Sequence, residues 1–366
     1  MESANPVKTI RQLLGFGNNP SQILYVSRDT LFEDNIAFFK NKFQSNRPIS
    51  VRFVGEKAVD AGGPIRENFR ILMRKLHAAE LNMFFGTHSH NLLPSNNQML
   101  LYSGMFEVLG NIAAGIINGV PLKLPLHPAV IDCILDRPRD EQFGKISIDD
   151  ILDVDLKEFL TKILNCKEDD EMVTVINDEA NPTHWLDNCG WPVSKQMTVS
   201  CKHEIVMCVM YHYIIDIRSS AITAIENGMK CNNRFPLKVL TPSLLGELLK
   251  PPLINATELQ RLVQPSIDKL KADASEHATY ITDLMKEISD TDANMMAVFT
   301  KAADCVYEDL TEIKLELNTF NRIEAFPIGN TCSATILFPV SFNSSSEFKT
   351  TVLMRMKEAV EFFGML

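Results

Sequence analysis

Cys332, near the end of the chain, is the residue best placed to act as a nucleophile. It lies in the segment NTCS at 330–333, after the turn residues Pro327 and Gly329 and at the start of an alternating stretch, TCSATILF, that is typical of a strand ending at Pro339. A thiol at the mouth of a strand can be exposed, and the exposed thiolate is the reactive form of cysteine. The same pattern also fits a small buried apolar side chain, so the residues alone leave both interpretations open.

The other seven cysteines lie mostly within helical or apolar patterns and form no CxxC pair. They are Cys133, Cys166, Cys189, Cys201, Cys208, Cys231 and Cys305. A chain of 366 residues does not need disulfides for stability, so we expect reduced thiols. Cys201, His203, Cys208 and His212 share one segment, which raises zinc binding as an alternative, but their spacing is more typical of a buried helix than of paired zinc ligands. We therefore predict no metal site and no cofactor.

The composition is that of a folded globular protein. Apolar residues make up 45% of the chain and charged residues 22%, which excludes a largely disordered or fibrous protein. The length allows two domains, each with its own core. The net charge of -10 argues against a broad nucleic-acid surface, because such a surface requires clustered lysine and arginine. We expect no nucleic-acid partner.

Neither the N-terminus nor the apolar stretches predict membrane targeting. The first 17 residues contain no long apolar run, and Glu2 lies where a signal peptide would be basic. The apolar stretches at 108–126 and 205–215 are interrupted by polar residues or are shorter than the roughly 18 residues that a membrane span needs. We interpret both as buried helices, and we expect a cytoplasmic or nuclear protein that does not bind membranes.

Hydrophobic periodicity predicts the elements that precede these segments. Residues 1–21 are polar and are predicted to form a leader or linker. Apolar residues at 31–43 have helical spacing, and those at 49–56 alternate as in a strand. Gly62 and Gly63 predict a turn, with Pro64 in the first turn of the following helix. Further along, MVTVI also alternates, and we predict a strand there and another short strand before the long apolar helix.

Two blocks in the first third of the chain resemble a known family. The sequence VRFVGEKAVDAGGPIRENF is similar to the block that opens the large N-terminal lobe of HECT ubiquitin ligases. The later stretch YSGMFEVLGNIAAGIINGVPLKLPL resembles the next helix of that lobe. Its small residues Gly110, Ala113, Ala114 and Gly119 predict close helix packing independently of the resemblance.

The C-terminal forty residues resemble the catalytic lobe of the same family. The elements Pro-x-x-x-Thr-Cys, Leu-Phe-Pro, Ser-x-x-x-Phe-Lys and Phe-Gly-Met-Leu occur in the family's order and spacing. The resemblance implies that Cys332 accepts ubiquitin from a conjugating enzyme as a thioester and passes it to a substrate lysine. It also implies supporting roles for Thr331, Asn330 and Phe363. Asn330 stands where the family usually has histidine. Ser333 and Ala334 stand where the family often has Phe-Asn.

The histidines discriminate between two kinds of cysteine chemistry. All eight precede Cys332 by more than 50 residues, so the C-terminal segment contains no imidazole to activate a hydrolase nucleophile. Exchange between two thiolates of similar pKa needs no such group. Attack by a substrate lysine would benefit from an acidic side chain, for which Glu361, Glu358 and Asp304 are candidates. A hydrolase that uses a distant histidine stays a weaker alternative.

The resemblance also implies a division into lobes. We expect an N-terminal lobe at 22–270 and a C-terminal catalytic lobe at 277–366. We place a flexible hinge between them at 271–276, where the sequence has no strong apolar face. A small subdomain at about 146–225 would dock the ubiquitin-conjugating enzyme in an apolar groove. By position, the groove would be lined by Leu156, Leu160, Met172, Val173, Val206, Met210 and Tyr213. The alternative for each is local core, because apolar residues at helical spacing are more often buried than exposed.

The expected fold is therefore α+β and bilobal, with a large, mostly helical lobe with small strands and a smaller α/β lobe. The expected function is that of a ubiquitin-protein ligase whose partners are ubiquitin and a conjugating enzyme. The alternative is a HECT-fold binding protein that docks a conjugating enzyme without transferring ubiquitin.

Overall fold

The computed structural model describes most of the chain. The described residues are 12, 19–56, 63–85, 91–120, 122–177, 184–192, 197–231, 234–250, 253–272, 276–301, 312–318, 326–330 and 333–362. These residues are mostly helical and include three small sheets, which confirms the predicted α+β class.

The helices and strands have the following bounds. The helices are α1 (Leu31–Asn41), α2 (Gly63–Leu76), α3 (Gln98–Tyr102), α4 (Met105–Ile117), α5 (Pro128–Ile134), α6 (Arg139–Phe143), α7 (Val154–Asn165), α8 (Asp169–Asn177), α9 (His184–Asn188), α10 (Lys202–Ile214), α11 (Ser219–Lys230), α12 (Pro242–Leu249), α13 (Ala256–Ala272), α14 (Glu276–Glu287), α15 (Asp290–Lys301) and α16 (Ser345–Phe362). The strands are β1 (Gln22–Val26), β2 (Ile49–Phe53), β3 (Phe84–Phe85), β4 (Leu93–Pro94), β5 (Lys314–Asn318), β6 (Ile328–Asn330) and β7 (Thr335–Pro339).

The first sheet pairs β1 and β2 in parallel, with Leu24 opposite Val51. Alternate residues of β1 are buried, because successive strand side chains point to opposite faces. Helices α1 and α2 cover the buried face, and the rings of Phe39 and Phe69 meet edge to face with centroids 6.0 Å apart. The strand and the two helices predicted in this region are confirmed, with ends that differ by a few residues.

The chain packs into two compact units. One comprises residues 1–76, 115–123 and 248–366, and the other comprises residues 77–114 and 124–247. The lobe and hinge boundaries inferred from the family resemblance stay a prediction.

In the second unit, α4 and α11 cross with their backbones in contact. A Cβ atom at Gly110 would overlap the carbonyl oxygen of Ile225, and one at Gly228 would overlap the carbonyl oxygen of Glu107. Only glycine allows two helix backbones to approach this closely. The predicted packing role of Gly110 is therefore confirmed.

The strand predicted at MVTVI is wrong, since these residues belong to helix α8. Three acidic residues occupy its first turn, where their negative charges stabilise the positive end of the helix dipole. Met172 and Ile176 are buried four residues apart on one face, whereas Val173 is exposed. A short strand before α10 is also not observed in the part that the structure describes, where Val199–Cys201 forms a 3₁₀ turn.

One helical stretch in the described ranges meets the length and composition of a membrane span. It is Val199–Lys230, and 56% of its most apolar window is buried inside the protein. Core helices meet the same criteria. Ile205, Val209 and Ile214 are almost completely buried, which confirms the prediction that 205–215 is a buried helix.

The C-terminal part of the first unit is built around a three-stranded sheet in the order β5-β7-β6. Strands β5 and β7 are parallel, and β6 is antiparallel to β7. Helices α13 to α16 share one hydrophobic core with this sheet, including Leu262, Ile281, Phe338 and Phe348. Of the predicted hinge at 271–276, Lys271 and Ala272 belong to α13 and Glu276 belongs to α14, and these two helices contribute to the same core.

Candidate active site

The predicted nucleophile lies in the connection between β6 and β7. These strands pair Asn330 with Thr335 and Gly329 with Ile336, so the chain reverses direction between Asn330 and Thr335, and we call this connection the hairpin tip. Thr331, Cys332 and Phe363 lie outside the described residues, and their roles stay predictions. The residues on either side of Thr331 and Cys332 are described and define the setting of the hairpin.

A side-chain hydrogen bond spans the hairpin tip. The Oδ1 atom of Asn330 accepts from the backbone N–H of Ser333 at 3.1 Å, and the Ser333 hydroxyl donates to the Thr335 hydroxyl at 2.9 Å. Ala334 adopts a left-handed conformation with φ of 54°, which reverses the chain into β7. Asn330 therefore holds together the two ends of the segment that contains Cys332.

The second half of the hairpin is anchored in the core. The backbone N–H of Lys314 donates to the carbonyl oxygen of Ala334 at 2.7 Å, which joins the hairpin to β5. Ile336 and Phe338 are completely buried, and the Phe338 ring packs against Phe348 of α16 with centroids 5.6 Å apart. The predicted strand is confirmed, although it begins at Thr335 and is buried on both faces.

The first half of the hairpin lies against α15. Gly329, predicted to be in a turn, is instead the central residue of β6. An ideal Cβ atom at this position would lie 2.6 Å from the carbonyl oxygen of Phe299 in α15. The neighbouring side chains of Ile328 and Asn330 are exposed, as expected for an edge strand with one face covered.

Of the three acidic side chains proposed to assist a substrate lysine, the structure describes Glu358. The Oε2 atom of Glu358 accepts from the Arg355 guanidinium at 2.8 Å, and the same guanidinium lies 4.8 Å from the ring centroid of Phe326. Phe326 is 49% exposed and lies two residues before β6. Glu358 is therefore held by an ion pair on the helix that supports the sheet. The Glu361 side chain and Asp304 lie outside the described residues.

Cys133, Cys166 and Cys189 have surroundings that disfavour the thiolate. Burial raises the pKa of the Cys133 thiol to about 12, and burial also raises the pKa of the Cys166 and Cys189 thiols. Cys201 is buried, and its Sγ atom donates to the carbonyl oxygen of Thr198 at 3.0 Å. Groups of three or more His, Cys, Asp or Glu that could hold a metal ion are absent from the part of the chain that the structure describes.

The seven residues predicted to line a docking groove do not all lie at the surface. Helix α7 packs against α8 and α10. The buried members of the set are Leu156, Leu160, Met172, Val206 and Met210. Val173 is 46% exposed, and the half-buried ring of Tyr213 meets Phe85 edge to face at 5.8 Å. This burial fits the alternative of local core for five residues, and docking by the set stays a prediction.

An open depression on the outer side of α7 was not predicted. It has a volume of about 540 Å³ and is lined by Ile151, Leu152, Val154 and the polar face of α7. Val154 is 76% exposed directly after the N-cap Asp153. The sequence signal was an apolar residue on a helix face that otherwise carries Lys, Glu and Thr.

Comparisons with known proteins give the family. The model of the family described as "HECT-domain (ubiquitin-transferase)" matches residues 70–366. The chain is 29% identical over 187 residues to a protein named "Probable E3 ubiquitin-protein ligase HERC4" from Rattus norvegicus, covering 50% of this chain and 17% of that protein. The protein of the same name from Homo sapiens matches with the same identity and coverage.

A more distant relative matches a longer part of the chain. It is named "E3 ubiquitin-protein ligase TOM1-like", from Neurospora crassa, and is 24% identical over 282 residues, covering 70% of this chain and 6% of that protein. The chain thus spans less than a fifth of the length of these relatives. Because the family model matches most of the chain, including the hairpin, the protein belongs to the HECT-domain family.

Proposed function

We propose that this chain is a ubiquitin-protein ligase that accepts ubiquitin on Cys332 and transfers it to a substrate lysine. The observation that carries the proposal is the family match over residues 70–366, which includes the hairpin between β6 and β7. The names of the relatives, which describe E3 ubiquitin-protein ligases, are consistent with it.

The first step is a thioester exchange. The Cys332 thiolate attacks the C-terminal carbonyl carbon of ubiquitin, a new carbon–sulfur bond forms, and the cysteine of the conjugating enzyme leaves as a thiolate. Since one thiolate replaces another, the step needs neither a histidine nor an acid. Asn330, Thr331 and Phe363 would support this step, Asn330 through its hydrogen bond to Ser333 across the hairpin tip.

The second step forms an amide bond. An uncharged substrate lysine attacks the same carbonyl carbon, the Cys332 thiolate leaves, and the proton of the amine passes to a base or to solvent. Glu358, Glu361 and Asp304 are the acidic groups considered for this role. We assign docking of the conjugating enzyme to the subdomain at about 146–225, and we propose that the protein acts in the cytoplasm or nucleus.

The test is formation of a thioester on this chain. The purified chain is mixed with ubiquitin, activating enzyme, ATP and each of a panel of conjugating enzymes, and the products are separated without reductant. We expect a ubiquitin adduct that disappears on reduction and is absent in Cys332→Ala. In Cys332→Ser the adduct should resist thiol reductants, because it is an oxygen ester. Cys189→Ala is the matched control and should retain the adduct.

Other outcomes would identify a different function. Failure of every conjugating enzyme to give an adduct, together with binding of one of them, would indicate a docking protein without transfer activity. Hydrolysis of a ubiquitin ester without any conjugating enzyme would indicate a hydrolase. An adduct that survives in Cys332→Ala would show that another residue is the acceptor.

A further inference from the structure

The strand that leads to the predicted nucleophile lies on α15 with no side chain between the two backbones. An ideal Cβ atom at Gly329 would be 2.6 Å from the carbonyl oxygen of Phe299, and 3.0 Å and 3.1 Å from two atoms of the Phe299 ring. Real Cβ atoms essentially never approach another heavy atom within 3.0 Å. The closest of the three atoms belongs to the backbone of a helix, so it cannot move aside as a flexible side chain would.

The glycine is required for space and not for backbone conformation. Gly329 is not among the described residues with positive φ, whereas Gly55 and Gly190 are. It lies in a regular antiparallel pair opposite Ile336. Alanine could therefore adopt the backbone conformation of residue 329, and the obstacle is the contact with Phe299.

Of the three elements that meet at residue 329, namely β6, β7 and α15, β6 is the one that would move. Ile336, opposite Gly329, is completely buried in β7, and β7 is also paired with β5. Phe299 is 5% exposed in the core of the same unit. A side chain at 329 would have to push the edge strand β6 outwards, because both β7 and α15 are held by the core.

Displacement of β6 would reach the hairpin tip through Asn330. This residue follows Gly329, pairs with Thr335 and accepts the hydrogen bond from Ser333 across the tip. A shift at residue 329 therefore changes the position of one end of the tip while Thr335 holds the other end.

We propose that Gly329 is a positioning residue for ubiquitin transfer. The absence of a side chain at 329 sets how closely β6 approaches Phe299, and this distance sets where the hairpin tip presents Cys332. The proposal rests on the proposed function of Cys332, but its test includes a measurement that does not require ubiquitin.

The test compares the wild-type chain with Gly329→Ala and with Gly246→Ala as matched control. A Cβ atom at Gly246 would lie 3.6 Å from the Ile131 side chain, which is an ordinary contact. Thermal unfolding first establishes a temperature at which all three proteins are folded. Single-turnover charging is then measured against the concentration of ubiquitin-loaded conjugating enzyme, and alkylation of Cys332 by iodoacetamide is measured by mass spectrometry between pH 6 and 10.

We expect a lower maximal charging rate in Gly329→Ala with an unchanged half-saturating concentration. A displacement of about 1 Å can reduce a reaction rate by about a hundredfold, so a loss on the order of tenfold or more is expected. The midpoint of the alkylation pH profile should also shift, because the thiol changes its surroundings. Gly246→Ala should match the wild type in both measurements. If Gly329 had only a structural role, Gly329→Ala would lower the unfolding temperature and would change neither the charging rate nor the alkylation profile.

A second position keeps the test decisive if Gly329→Ala does not fold. Phe299→Leu removes the ring atoms that lie against Gly329 while leaving the core apolar. We expect this variant alone to alter the charging rate and the alkylation profile, because β6 loses part of the surface on which it lies. We expect no recovery in Gly329→Ala/Phe299→Leu, because the backbone carbonyl oxygen of residue 299 remains 2.6 Å from the position of the new methyl group. Wild-type charging and alkylation in folded Gly329→Ala, or in Phe299→Leu if the first variant does not fold, would overturn the proposal.

The two proposals fail in different ways. A wild-type chain that is never charged, but in which Cys332 alkylation responds to Gly329→Ala, would refute ligase activity and support the positioning of the thiol. A wild-type chain that is charged normally, with Gly329→Ala indistinguishable from it, would refute only the role of Gly329.

Discussion

Asn330 bridges the segment that contains Cys332 by accepting a hydrogen bond from the backbone N–H of Ser333 at 3.1 Å. The family usually has histidine at this position. The carboxamide oxygen of asparagine readily forms such local turns, because asparagine side chains can bond to the backbone a few residues along the chain. Asparagine at this position is therefore compatible with the hydrogen bond that joins the two ends of the hairpin tip.

Replacing Asn330 separates its effect on the turn from its effect on the thiol. Asn330→Ala removes the acceptor, and we expect a stability loss of about 0.5 kcal/mol, at the low end for a hydrogen bond because the site is exposed, together with slower charging. Asn330→Asp retains the acceptor and the stability, but its negative charge should raise the pKa of the nearby thiol. Charging rates measured at pH 7 and 9 check this. The higher pH should restore the charging rate of Asn330→Asp but not that of Asn330→Ala.

A pair of buried amides should be essential to the packing of α1 on α2. Asn35 and Asn68 are both completely buried and donate to each other's Oδ1 atoms at 2.8 Å and 2.9 Å. Asn68→Ala leaves the Asn35 amide without this partner, and we expect a loss of about 1–3 kcal/mol. Urea unfolding checks the value, and Asn41→Ala, at the exposed end of α1, is the control. Equal midpoints for the two variants would contradict the prediction.

The contact between α4 and α11 should not tolerate alanine. In Gly228→Ala the new methyl group meets the carbonyl oxygen of Glu107, so the helices must separate. We expect a destabilisation of about 1–3 kcal/mol, as for an overpacked core. The comparison is Gly246→Ala in α12, where the added methyl group makes an ordinary contact and helix propensity should make the change neutral or stabilising. Thermal unfolding should show a lower midpoint for Gly228→Ala and an unchanged or higher midpoint for Gly246→Ala.

The buried imidazole of His127 should make the protein less stable in mild acid. Its Nδ1 atom accepts from the backbone N–H of Ala129 at 3.1 Å, so the neutral ring donates from Nε2 towards Asp150 at 3.3 Å. Burial lowers the pKa of His127 below its usual 6.5, although the Asp150 carboxylate opposes the shift. As the pH falls below 6.5, the unfolded chain takes up the proton first, so stability is lost between that value and the folded pKa.

The variant that isolates this effect is His127→Asn. Asparagine retains the helix-capping acceptor but has no proton to gain. The urea midpoint of the wild type should fall more steeply from pH 7 to 5 than that of the variant. Parallel pH profiles would show that His127 does not contribute to the acid sensitivity.

Thiol reactivity should differ widely between cysteines. Burial and the nearby carboxylate of Asp132 raise the pKa of Cys133 to about 12, so its thiolate is scarce at pH 8. We expect iodoacetamide to modify Cys332 well before Cys133 in the folded protein, and both at similar rates in urea. Peptide mapping by mass spectrometry checks the order, and faster modification of folded Cys133 would contradict it.

Several elements could be predicted because their signals are local. Pro64 predicts the first turn of a helix through its fixed φ, and this helix is observed, although it already includes Gly63, which was expected in the preceding turn. The alternation after Cys332 indicates a strand, and β7 is observed. The family resemblance rests on contiguous motifs of the same kind. The family match over residues 70–366 covers the later block and the C-terminal motifs, and it begins directly after the first block, which ends at Phe69.

The wrong predictions involve patterns that two structures can share. In MVTVI, apolar residues fit a strand, but Met172 and Ile176 are also one helical turn apart, and packing against α7 selects the helix. Pro327 and Gly329 together predict a turn, because proline and glycine are the commonest turn residues. The structure instead requires glycine at 329 because a Cβ atom there would overlap the carbonyl oxygen of Phe299, which is thirty residues away in the chain.

The amino-acid sequence was sufficient to identify the family, because family motifs consist of residue types at short spacing. The proposals of Cys332 as nucleophile and of thioester exchange have the same basis. Tertiary structure decided which apolar side chains are exposed. Leu160 and Met210 have helical spacing that fits either a core or a docking groove, and both are buried where α7 packs against α10. Burial depends on partners that are distant in the chain, and the periodicity of one helix does not contain that information.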